Sequence, residues 1–202
     1  MDMVAAAPGE HILDAACGTG RYCGLFQRRG AEVVGIDFSE GMLRVARQKM
    51  PTVAFHCVDL TGVLPFPDAS FDKVNCAQAL KHLPDLKSPL TELARVVKPC
   101  GTITFSVTHP EMDWEGYEMS CGLSFNLAAE SDIHHHRFWQ YFEAIDRADL
   151  RLSAFRQVPV GEKIREFLTT ESFQKVKGRY QIAVFQAMMD GTTSTGRSSG
   201  GR

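Results

Sequence analysis

Leu13-Asp14-Ala15-Ala16-Cys17-Gly18-Thr19-Gly20, followed twenty-three positions after Asp14 by Asp37 at the end of the apolar run Val33-Val34-Gly35-Ile36, decides how this chain is read. Ile12-Leu13 reads as the end of a buried strand. Gly18 and Gly20 supply a tight turn where side chains would obstruct a ligand. Arg21 to Arg29 reads as a helix stopped by Gly30, so the turn feeds a helix start with unpaired backbone donors. Asp37 then falls at the carboxyl end of the next strand, where open α/β sheets bind ligands and where a carboxylate can accept from two ribose hydroxyls. The pairing predicts an adenosine-type cofactor.

Glycine spacing narrows the choice. A dinucleotide fingerprint needs a third small residue three places after Gly20, and Cys23 stands there. The pattern present, D-x-A-x-G-x-G, resembles motif I of the class I S-adenosylmethionine-dependent methyltransferases, with Ala16 in the first glycine place. Four further stretches follow in that family's order. Val33 to Ser39 resembles motif II, with Asp37 as the ribose acid. Phe55 to Leu60 resembles motif III, which implies Asp59, with Leu60 beside it, near the adenine amino group. Leu64 to Val74 is similar to the fourth motif, and Leu93 to Gly101 to the R-V-L-K-P-G-G segment, with Cys100 in one glycine place. The likeness covers residues 10–108 closely and 137–189 in outline. It implies a small-molecule methyltransferase with S-adenosyl-L-methionine as cofactor. Asp14, Ala16, Cys17, Gly18, Thr19 and Gly20 would then form or orient the cradle. Asp37 would hold the ribose, Phe38 would lie on adenine or fill core, and Ala77 and Gln78 would line the methionine part.

Strand-like segments near 11–15, 32–37, 53–58, 72–77 and 102–107 alternate with helical ones, which implies a parallel sheet covered on both faces. The resemblance extends this to a doubly wound, Rossmann-like α/β fold. Its sheet would be mostly parallel and seven-stranded, with helices on both faces and the last strand antiparallel. Ser39 is expected to cap the helix after Asp37, which stops before Pro51. Ser88 before Pro89 is expected to cap the next, whose stripe Leu90, Leu93, Ala94 and Val97 is packing. Trp139 to Ala148 resembles the family's last helix, and Arg151–Val160 and Gln181–Met188 its last strands. Ala148-Asp149-Leu150 stands where the family has A-G-F, so a turn glycine is missing. Residues 1–190 are expected to form one domain. Within it, 108–140, aromatic and acidic, is too long for a plain connection and reads as a lid or substrate insertion. The tail 191–202, with nothing apolar to bury, reads as disordered. About ten residues precede the first strand, fewer than the family's usual cofactor-covering helices require.

The 202 residues are 44% hydrophobic, enough for a substantial core, and the net charge of −2 gives no electrostatic case for nucleic acid or an anionic membrane. No apolar run approaches the ~20 residues of a spanning helix, and the N-terminus lacks a signal pattern. A cytoplasmic protein is expected, with a partner subunit or homo-oligomer open. The six cysteines show neither C-x-x-C nor zinc spacing and read as small buried hydrophobes.

His109, after the fifth strand on the ligand edge, is the candidate general base if the acceptor is protonated, beside a packing role as a loop histidine. His82 reads as packing or loop. His134-His135-His136 cannot easily meet on one ion, because adjacent side chains diverge, and Glu130 with His134 is a weak pair, so no metal is expected. Methyl transfer to a small-molecule oxygen, nitrogen or carbon is the leading reading. A nicotinamide oxidoreductase and a non-catalytic cofactor-binding module or subunit are the competitors.

Overall fold

Seven strands align in one sheet in a computed structural model that describes residues 3–110, 134, 136–160 and 178–190. Strand β1 (His11–Ala15) is followed by helix α1 (Arg21–Gln27), β2 (Glu32–Asp37), α2 (Glu40–Lys49) and β3 (Ala54–Cys57). Then come β4 (Phe71–Ala77), a 3-10 turn at Leu80–His82, α3 (Lys87–Val96) and β5 (Val97–Thr108). Helix α4 (Phe138–Arg147), β6 (Leu150–Pro159) and β7 (Tyr180–Met189) complete the described elements. The strand order is β3-β2-β1-β4-β5-β7-β6, and β7 alone runs antiparallel to its two neighbours. The doubly wound, mostly parallel architecture with its antiparallel last strand is therefore present. Most of the expected lid at 108–140, the tail 191–202, Glu130, His135 and Cys121 lie outside the described residues.

Strand alternation builds the two faces. Ile12 packs with Cys23, Phe26, Leu43 and Ala46 under α1 and α2, while Leu13 and Ala15 pack with Leu90, Leu93, Phe105, Tyr141 and Phe185 under α3 and α4. The winding reverses between β1 and β4, which opens a crevice at the carboxyl end of β1.

Local signals explain most boundaries. Ser39 Oγ accepts from Met42 N as expected, and α2 ends at Lys49, ahead of Pro51. The start of α3 differs: Asp85, not Ser88, closes it, accepting from Lys87 N and Ser88 N with its two carboxylate oxygens. An ionised acid outcompetes a hydroxyl for those amides. Pro89 consequently sits in the third helical place, still among the positions without an intrahelical N–H bond. The fifth strand also begins earlier than the sequence suggests, at Val97, because a bulge absorbs the residues between the Phe71–Val97 and Lys73–Thr102 pairs. The buried-cysteine expectation holds for Cys17, Cys23 and Cys76 but fails for Cys57 and Cys100, which are exposed at a strand end and in that bulge.

All three residues that replace an expected glycine take the left-handed backbone: Ala16 at φ 57°, Cys100 at 62° and Asp149 at 54°. The turns are thus kept, at a conformational cost of about 1 kcal/mol or more each. Cys100 is exposed, so little packing is lost on trimming it. Cys100→Gly is expected to raise the thermal midpoint by roughly 2–4 °C, a net gain of about 1 kcal/mol, measurable by calorimetry.

Candidate functional site

The turn after β1 is held by backbone bonds and one acid. Cys17 N donates to Ile36 O at 2.9 Å, and Gly20 N to Cys17 O at 2.9 Å. Gly18 (φ 54°) and Gly20 (φ 78°) join Ala16 in the left-handed region, so three of five consecutive residues bend the chain sharply. Among the described residues, no atom beyond its two chain neighbours comes within 4 Å of where a Cβ on Gly18 would stand, which leaves the crest of the turn open to them. Gly18 N donates at 2.8 Å to Asp37 Oδ2, while Asp37 Oδ1 accepts from Ser39 N at 2.9 Å. The predicted loop and the predicted ribose acid, nineteen residues apart from Gly18 to Asp37, therefore form one continuous edge. A carboxylate offers about four lone-pair directions, so two remain for hydroxyls of a bound sugar.

Asp14 lies behind this edge, 1% exposed. Its side-chain partners lie outside the glycine turn itself. Its Oδ1 accepts from Asn75 Nδ2 at 2.7 Å, and its Oδ2 from Cys23 Sγ at 3.1 Å in the first turn of α1. The reason is strand alternation: Asp14 points to the α1 face, beside Asn75, its register partner on β4. Burial pushes its carboxyl up to about 6, against the lowering effect of the Asn75 and Cys23 bonds. The folded chain holds this proton more tightly than the unfolded chain, whose carboxyl titrates near 3.8. The contribution of Asp14 to folding accordingly weakens as pH rises from about 4 through 6.

Thr19 completes the turn, half-buried. Phe38, directly after Asp37, is 76% exposed, which removes its core-filling role and leaves a bare aromatic face at the rim. Asp59, exposed just past β3, accepts from Thr61 N at 2.8 Å through Oδ1; Leu60 beside it is buried. Across the crevice, Ala77 ends β4 and Gln78 (φ 62°) begins a polar chain that sequence reading missed beyond its first member. Lys81 Nζ donates to Thr108 Oγ1 at 3.1 Å, the Thr108 hydroxyl donates to Gln78 Oε1 at 3.1 Å, and Gln78 Nε2 meets Ser106 Oγ at 3.4 Å. Arg95 was also missed. Its guanidinium binds Leu64 O, Phe66 O, Asp68 and Glu92, bracing the β3–β4 loop against α3.

His109 is 3% exposed. Its ring packs edge-on to Phe138 at 4.8 Å and stacks with Tyr180 at 5.5 Å, and Gln157 Nε2 approaches its Nε2 at 3.0 Å. His82 is exposed in the 3-10 turn. His136 Nε2 lies 2.7 Å from Leu83 O, with its ring on Tyr141, while His134 is exposed and donates its N–H to Lys81 O.

Residues 13–105 match the family described as methyltransferase domain. Over 111 residues the chain is 40% identical to demethylmenaquinone methyltransferase of Renibacterium salmoninarum, a stretch covering 54% of this chain and 46% of that protein. Over 106 residues it is 39% identical to malonyl-[acyl-carrier protein] O-methyltransferase of Serratia marcescens, covering 52% and 41%. The chain thus spans about half the length of the curated relatives it matches. An S-adenosylmethionine-dependent methyltransferase structure from Mesorhizobium loti superposes with a TM-score of 0.71 at 23% identity, over 90% of this chain and 92% of that one, which is a likeness of fold.

Proposed function

We propose that the chain carries a class I S-adenosylmethionine-dependent methyltransferase domain, binds S-adenosyl-L-methionine at the carboxyl edge of β1, β2 and β4, and methylates an oxygen, nitrogen or carbon of a small-molecule acceptor. The observation that carries this reading is the Gly18–Asp37 bond, which joins an open backbone turn to a carboxylate with lone pairs to spare. When bound, the cofactor supplies an electrophilic methyl group that is displaced in line from sulfur. The protein's share of the work is binding, orientation and exclusion of water. Ala16 to Gly20 would cradle the cofactor with backbone groups, and Asp37 would accept from the ribose hydroxyls. Phe38 would cover adenine, with Asp59 and Leu60 on the same side. Ala77 and Gln78 would flank the methionine part, the latter held by Ser106 and Thr108.

A non-catalytic module is less well supported. Ala16 and Cys100, the substitutions in the glycine places of the motifs, keep the left-handed backbone of the glycines they replace. Tritium transfer from methyl-labelled cofactor into a metabolite extract tests the reading: label in a small molecule supports it, whereas cofactor binding with no transfer supports the module. Among the described residues no helix is long and apolar enough to cross a membrane. The near-neutral charge argues against a nucleic-acid acceptor, and retarded RNA or DNA in a low-salt gel shift would reverse that assignment.

His109 fits a packing role better than that of a base, since its Nε2 is engaged by the Gln157 amide and its faces are covered by aromatic rings. His109→Ala is expected to lower stability by about 2 kcal/mol and leave cofactor affinity unchanged, read by thermal melts and calorimetry. Turnover lost with stability intact would restore the base role.

A further inference from the structure

We propose that Asn75 is a positioning residue for the cofactor loop: its side-chain amide holds Asp14 in the orientation that fastens the first turn of α1 at Cys23, and so sets the shape of the Cys17–Gly20 turn. The inference rests on the S-adenosylmethionine reading above and deepens it.

The geometry is built rather than incidental. Asn75 and Asp14 are register partners on adjacent strands, both face α1, and both are buried, Asn75 at 4% exposure. An apolar residue at 75 would leave one buried carboxylate oxygen without a donor. A lysine would satisfy it but bring a second buried charge. An amide supplies the donor and stays neutral. The other oxygen is then aimed at Cys23, three residues past Gly20, so the orientation of one carboxylate is carried into the turn. Gly35, opposite Asp14 on β2, has no room for a Cβ, which would stand 3.0 Å from Cys17 Sγ and 2.6 Å from the Phe55 ring. The assembly is therefore packed tightly on both sides.

Asp14 is also the group here that changes charge near neutrality, at about 6. The groups around it are Asn75 on β4, Cys23 on α1 with Cys17 behind it, Asp37 on β2, and Cys76 on β4, which points to the opposite face of the sheet. Burial pushes Cys76 up to about 12. A hydrogen bond with Cys17, then burial, pushes Cys23 far higher, so both thiols stay neutral. The negative charge of Asp37 raises Asp14 further. Protonating Asp14 removes an acceptor from the clamp, so cofactor affinity is strongest above the midpoint and falls as pH drops through it. Without the Asn75 donor the ionised form loses support, and the midpoint moves up.

The test uses the full chain as wild type, Asn75→Leu, Asn75→Val and Asp14→Asn. The Asp14 carboxyl carbon is titrated by NMR without cofactor, and S-adenosylmethionine affinity is measured by calorimetry from pH 5 to 8, with circular dichroism confirming folding. The wild type is expected to lose about 10-fold in affinity from pH 7 to 5. In either Asn75 variant, both the NMR midpoint and the affinity curve should move up by roughly one pH unit, and the Asp14→Asn curve should be flat. The cofactor's own titrations are common to all four curves. Two Asn75 variants guard against one failing to fold. An NMR midpoint unmoved in a folded variant, or one that moves without the affinity curve, overturns the proposal. A wild type that binds no S-adenosylmethionine at any pH, with its NMR midpoint intact, overturns instead the cofactor reading and this inference with it.

Discussion

Asp37→Ala is expected to weaken S-adenosylmethionine binding by on the order of 10²- to 10³-fold, measured by calorimetry at pH 7.5. Two effects add. Hydrogen bonds from ribose hydroxyls to a carboxylate contribute about 1.5–3 kcal/mol each, and both are lost. The same substitution frees Gly18 N, which Asp37 Oδ2 holds at 2.8 Å, so the cradle itself loosens. Asp37→Asn retains one oxygen and the side-chain shape, and should fall between wild type and alanine. Unchanged affinity in Asp37→Ala would mean that the ribose is held elsewhere.

The largest effect on stability is expected far from that edge, at Gly101. A Cβ there would lie 2.7 Å from Asp72 O and 2.8 Å from Lys98 O, both backbone atoms that cannot rotate away. Relief requires moving β4 or the β5 bulge, and the bulge is tied by Lys98 Nζ to Asp72 Oδ1 at 2.8 Å. Overpacking of this kind costs about 3 kcal/mol, so Gly101→Ala should lower the thermal midpoint by roughly 6–12 °C. Cofactor affinity of the folded fraction should be unaffected. A melting curve that superposes on wild type would show that the bulge is softer than its contacts imply.

Asp37 and Asn75 differ in how far sequence reveals them. The place of Asp37 beside the turn was legible because it depends on local facts: an apolar run, a strand end and a turn one strand earlier. The strand–helix alternation, the Ser39 cap and the stop before Pro51 were legible for the same reason. Asn75 was not. Asparagine within Phe71-Asp-Lys-Val-Asn-Cys-Ala77 is visibly out of place in a buried strand, and that signal was available. Its partner was not, because the register of β1 against β4, 61 residues away, is set by the folded sheet. The sequence places Asp14 beside the glycine turn, but its partners Asn75 and Cys23 follow from strand alternation, which turns it toward α1. At the start of α3 two valid signals competed, and the charged acceptor prevailed. Cys100 could not be placed because a bulge reassigns which residues face solvent.

The brace that Arg95 makes across Leu64, Phe66, Asp68 and Glu92 has a further consequence. The loop between β3 and β4 is thereby fastened to α3 through a single guanidinium. Redesign of the site should therefore leave the Leu64–Asp68 flank and the guanidinium that fastens it untouched.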